Sequence, residues 1–288
     1  MMRVEAALRD LGDADPRARA KAADALGRAG EAERPAAIAA LERAAADAHP
    51  SVRYAALLSL GELAAATSLP VVSAALDDAE PLCREAAAIA LGELGTPEAF
   101  APLERALLSA HPEVRFQAVA SLSQLAPERA APLVRPLLSD DDAKIRAQAA
   151  AALGDARDGE SREPLARLLD DAGEVRLEAA LALSWLGDER AVPVLLSSLG
   201  ERAQALDAAE ALARLNAARR KEVEAALLAV LGRWLGDPLV KVRAAEALAR
   251  AGHPRGRQHL QRATRARRED VRGLAQSVLS EIDGGAHR

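Results

Sequence analysis

The sequence predicts an all-α fold, a right-handed α-solenoid of about nine two-helix repeats. They form one array over residues 1–283, followed by a short tail at 284–288. Three observations carry this. Half of the 288 residues are apolar, yet Phe, Trp and Tyr together number five, so the interior has to be built from Ala and Leu. Those residues favour helices, whereas sheets draw on aromatic and β-branched side chains. A phrase centred on arginine recurs along the chain, and within each copy the apolar residues follow the helical period.

Taken in order, the reference column holds Arg19, Arg53, Arg84, Arg115, Arg146, Arg176, Ala205, Lys241 and Arg272, at spacings of 34, 31, 31, 31, 30, 29, 36 and 31. Periods of about 30 residues mark stacked helix pairs, each burying its apolar face only against its neighbours. Each copy reads as a first helix, a turn carrying acids, and a second helix carrying the reference residue. The residue before the reference is Ala18, Val52, Cys83, Val114, Ile145, Val175, Gln204, Val240 and Val271 in turn, and the seventh after it is Leu in every copy. At 100° per residue these positions, with +3, +6 and +10, gather on one side as the core. Gly27, Gly61, Gly92, Gly154 and Gly187 stand near expected helix ends, where tolerance of positive φ would stop the helix. Pro70, Pro102, Pro132, Pro164 and Pro193 are expected to start or kink first helices.

The phrase P-L-x-x-L-L-x-D-x-x-x-V-R-x-x-A-A-x-A-L-G-x-L-G, with good copies from 67 to 187, resembles HEAT-like repeats of the short, phycobilin-lyase type. The resemblance implies the solenoid and a ladder of Asp–Arg contacts between neighbouring repeats. It implies no single function, because such repeats host unrelated roles. Six residues before the reference stand Asp13, Asp47, Asp78, Ser109, Asp140, Asp170, Leu199, Leu235 and Ala266. The column is therefore expected to be structural. Repeat seven lacks both members, whereas repeats four and nine keep the arginine without the acid.

Catalytic signatures are missing from the sequence. There is no HExxH, nucleophile elbow, phosphate loop or GxGxxG, and Cys83 falls in a core column. His49 and His111 precede prolines and are expected to form turns. The His-Glu dipeptides through which some HEAT-like hydroxylases bind iron do not occur, so neither a metal nor a cofactor is expected. One cysteine fits a reducing compartment, and no signal peptide or membrane span is visible, so a cytoplasmic location is expected. Heavy Ala and Arg usage suggests a GC-rich bacterial source.

Opposite the core lie positions +1, +5 and +9, expected on the concave face. There Tyr54, Leu58, Glu62, Ile89, Glu93, Phe116, Gln124, Leu177, Leu181 and Trp185 form a candidate partner-binding stripe holding three of the five aromatics. Charge is uneven: residues 1–213 carry 22 Lys/Arg against 35 Asp/Glu, and residues 214–288 carry 16 against 8. Arg255, Arg257, Arg262, Arg265, Arg267 and Arg268 make a basic patch in the last repeats. The reading that follows is a non-catalytic scaffold or adaptor for another protein. Two alternatives stand beside it, a phycobilin lyase-like enzyme or chaperone and nucleic-acid binding through the basic end.

Overall fold

The computed structural model describes residues 4–201, 203–215, 221–233 and 236–285. Among them are eighteen α-helices and no strand, paired in chain order into nine repeats. The chain divides into two compact units, Met1–Ala152 and Leu153–Arg288. Unit 1 holds α1 (Val4–Asp10), α2 (Pro16–Leu26), α3 (Arg34–Ala44), α4 (Pro50–Glu62), α5 (Leu69–Ala74), α6 (Pro81–Glu93), α7 (Phe100–Ala106), α8 (Pro112–Leu125), α9 (Pro127–Val134) and most of α10 (Ala143–Asp155). Unit 2 holds α11 (Arg162–Arg167), α12 (Gly173–Trp185), α13 (Val192–Ser198), α14 (Ala205–Arg214), α15 (Lys221–Gly232), α16 (Pro238–Arg250), α17 (Pro254–Ala263) and α18 (Glu269–Gly285). The expected tail begins inside α18, and its last three residues lie outside the described ones.

Each first helix is shorter than the second helix of its repeat. Pro70, Pro102, Pro164 and Pro193 stand at the second or third position of α5, α7, α11 and α13, and Pro132 lies inside α9. A 3-10 turn precedes α5, α7, α11 and α13, and others follow α5, α9 and α11. Second helices are longer, and α2, α4, α6, α8 and α16 begin on a proline that needs no N–H partner. His-Pro pairs cap such starts in both kinds of helix: His49 Nδ1 accepts from the Ser51 N–H at 3.3 Å at the second helix α4, and His253 Nδ1 accepts from the Arg255 N–H at 3.2 Å at the first helix α17.

In unit 1 α2, α4, α6 and α8 pack in succession, and in unit 2 α12, α14, α16 and α18 do the same. The leucine column closes the interior, with Leu26, Leu60, Leu91 and Leu122 fully buried in unit 1, and Leu153, Leu183, Leu212 and Leu248 in unit 2. Buried hydroxyls link repeats as well: Ser59 Oγ donates to the Ala23 carbonyl at 3.0 Å, and Ser121 Oγ to that of Ala88 at 3.1 Å.

The glycine expectation needs correction. Gly61, Gly92 and Gly154 lie inside α4, α6 and α10, and Gly27 has a right-handed φ of −58°. Close approach is the reason for them. A Cβ on Gly61 would stand 2.9 Å from the Ala90 Cα, one on Gly92 2.6 Å from the Ser121 Oγ, and one on Gly154 2.7 Å from the Ala182 Cα. Only Gly187, with φ +69°, plays the expected helix-stopping part.

Candidate functional site

The reference arginines form the ladder, and its geometry identifies the true partners. Arg53 donates through Nε and Nη2 to the Asp78 carboxylate at 2.7 Å each, and through Nη1 to the carbonyls of Asp47 and Ala48 at 3.0 and 3.3 Å. Arg19 grips Asp47, and Arg115 grips Asp140, in the same two-pronged way. Each arginine thus takes its carboxylate from the following repeat and only backbone carbonyls from its own turn. This explains the exceptions in the acid column: Arg115 needs only the Ser109 carbonyl at 2.8 Å, and Arg272 only the Ala266 carbonyl at 3.0 Å.

Repeat four solves the loss of its aspartate locally. Ser109 Oγ accepts from the His111 N–H, the turn bond that Asp47 and Asp78 make elsewhere, while Glu113 supplies the carboxylate to Arg84. Nothing in the acid column points to Glu113; its place in the first turn of α8 was the available signal.

In unit 1 Tyr54 is 37% exposed, Leu58, Ile89 and Phe116 are half-buried, and Glu62, Glu93 and Gln124 are exposed. Phe116 lines a cleft of about 400 Å³ with Glu85, Glu113 and Ile145. No cation pairs with Glu62, Glu85 or Glu93 among the described residues. Partial loss of water around the Glu93 carboxyl, together with the nearby charge of Glu62, pushes it up from its ordinary value. Large exposed apolar side chains also occur off the stripe, at Leu82 and Leu108, 64% and 87% exposed.

In unit 2 Trp185 is 38% exposed and Leu181 half-buried, but Leu177 is buried and offers no anchor. It shares a small cleft with Val194 and Ser198 of α13, because a +1 residue on α12 lies against the next repeat's first helix. The Trp185 ring is not free either: the Arg214 guanidinium stacks 3.4 Å from its centroid, and Arg157 lies at 5.2 Å. Trp185 and Arg214 line a cleft of about 880 Å³ with an ion-pair network that the stripe reading missed. Buried Glu246 accepts from Arg243 at 2.8 Å and from Arg250 at 2.9 Å, and Arg250 reaches Glu281 at 2.8 Å. Position +9 of repeats seven, eight and nine holds Arg214, Arg250 and Glu281, so extending the same column would have found part of it.

All six arginines of the basic patch are exposed. Arg257 pairs with Asp283 at 2.5 Å and Arg268 with Asp270 at 2.6 Å. Cys83 is buried at the start of α6, its Sγ 3.3 Å from the Pro50 carbonyl, and burial pushes its thiol pKa up. Among the described residues no three His, Cys, Asp or Glu side chains are grouped to hold a metal, and no helix is long and apolar enough to cross a membrane.

The HEAT-repeat family matches residues 4–91, 69–153 and 133–213. Among solved structures, the Escherichia coli protein YibA is similar at 20% identity and TM-score 0.67, over 87% of this chain and 93% of that one. An engineered protein follows at 21% identity and TM-score 0.55, over 97% and 88%. Importin beta aligns with 97% of this chain and 46% of its own at TM-score 0.60 and 13% identity. These likenesses speak to the fold. No curated protein matches the sequence.

Proposed function

We propose that this chain, which belongs to the HEAT-repeat family, is a non-catalytic scaffold that docks a partner protein along the +1, +5, +9 face of its second helices. The carrying observation is the row in unit 1. Tyr54, Leu58, Ile89 and Phe116 keep accessible apolar surface on rigid helices, beside Glu62, Glu85 and Glu93, which have no cation partner among the described residues. Aromatic anchors fixed on helices bind without the ordering cost of a loop, and the flanking charges select the partner. The reading assigns no catalytic residue and no cofactor.

A photo-crosslinking residue at Leu58 or Ile89 tests it in the source cell, with the exposed Leu82 of α6 as control. One partner should be captured from the stripe positions and not from Leu82. Tyr54→Ala with Phe116→Ala should weaken its binding about tenfold or more while helicity is unchanged. Equal capture from Leu82, or binding indifferent to the double substitution, overturns the reading.

A further inference from the structure

The ladder shows what each reference cation needs, and at Lys241 in unit 2 that need goes unmet among the described residues. Arg19, Arg53, Arg84 and Arg115 each close on a carboxylate of the next repeat. From repeat seven onward the acid column reads Leu199, Leu235 and Ala266, with Leu235 outside the described residues. Lys241, the reference cation of repeat eight, would take its carboxylate from position 266, where alanine stands. Its ammonium instead donates to the Arg233 carbonyl, and Arg233 donates to the Leu199 carbonyl at 3.1 Å. Arg233 thereby covers the carbonyl that an arginine at position 205 would cover, and neither cation has a carboxylate partner among the described residues.

At this place a cleft of about 640 Å³ opens. Its floor includes the buried Leu199, Ala205 and Val240, and its rim carries Arg233, Lys241 and Arg268. Two acids are already engaged here: Asp237, which lines the cleft, accepts from the Leu239 N–H at 2.8 Å, capping α16, and Asp270 holds Arg268. The position thus combines an apolar floor with Lys241, whose ladder acid is replaced by Ala266, and Arg233, neither of which has a carboxylate partner among the described residues.

We propose that this cleft binds an acidic segment of a partner protein, seating an Asp or Glu carboxylate where earlier repeats supply their own. A carboxylate is favoured over a phosphate because in unit 1 the equivalent position is filled by one Asp side chain beside each of Arg19, Arg53 and Arg115. The site is separate from the unit 1 stripe and does not depend on it.

The probe is a rhodamine-labelled peptide, LLSDDDA, which copies residues 137–143, the turn that gives Asp140 to Arg115. Fluorescence anisotropy with the full chain should show saturable binding with Kd on the order of 0.1–1 mM, and none for LLSNNNA. Lys241→Gln with Arg233→Gln should weaken binding about tenfold or more. Ala266→Asp should do the same by supplying the acid from within, and should also raise the melting temperature, so that lost binding is distinguished from lost folding. Tyr54→Ala should leave the peptide's affinity unchanged. Three results overturn the proposal: no saturation with the full chain raised to about 2 mM, full binding to Ala266→Asp, or displacement of the peptide by inorganic phosphate or duplex DNA at lower concentration than by unlabelled peptide.

Discussion

Arg53 and Asp78 belong to consecutive repeats, and the guanidinium of one meets the carboxylate of the other through two parallel bonds of 2.7 Å. Their side chains are only 15% and 11% exposed, so the pair lies outside the regime of surface ion pairs, whose worth is small. Removing one member strands the other. Arg53→Ala should cost about 2–4 kcal/mol in chemical denaturation. Arg53→Lys should recover little of this, because an ammonium cannot reproduce the planar fork.

Glycine positions give a test of opposite sign to helix propensity. Alanine in a helix interior normally gains up to about 1 kcal/mol over glycine. Gly61→Ala should instead lose about 1–3 kcal/mol, since its Cβ would meet the Ala90 Cα at 2.9 Å. Gly159→Ala, with nothing within 4 Å of its Cβ, is the control and should be neutral or better by the same measurement.

Acid should loosen the array through the ladder. Bonds from Arg19, Arg53 and Arg115 hold the carboxyls of Asp47, Asp78 and Asp140 below the ordinary 3.8. Their contribution is present above that value and is lost as pH falls through the lower folded values. Glu93 acts in reverse: its folded pKa lies above 4.5, so its ionisation opposes folding and protonation relieves the strain. Thermal melts from pH 7 to 3 should show Glu93→Gln more stable than the parent at neutral pH, with the gap closing on acidification, and Asp78→Asn flattening the final acid loss.

Trp185 offers an optical check. With Trp234→Phe as background, Trp185 is the single indole, and Arg214 stacks on its ring at 3.4 Å. Arg214→Ala should raise acrylamide quenching and remove about 0.5–2 kcal/mol of ring–cation attraction. Unchanged quenching would show that the guanidinium does not cover the ring.

The helix pairs were legible because the sequence repeats the same test nine times. A single amphipathic helix can mislead, but the leucine seven places after each reference residue leaves little latitude. The ladder's direction was not legible. Asp47 stands 6 residues before Arg53 and Asp78 stands 25 after it, and only stacking brings the distant one to the fork. Glycine misled for a related reason, since a glycine that ends a helix and one that admits a neighbouring backbone look alike in one dimension. On the stripe, the period placed Tyr54 outside correctly and Leu177 wrongly, because helical angle says nothing of the first helix that covers α12 from the next repeat.

In unit 1, every interior repeat offers a basic fork to its successor and presents an acid to its predecessor. A copied block of 31 residues spliced between two such repeats would find ready-made mates at both seams. Growth or shrinkage of the array by whole modules then demands no new chemistry. Changing the partner of one module alone would require substitutions on both sides of a junction.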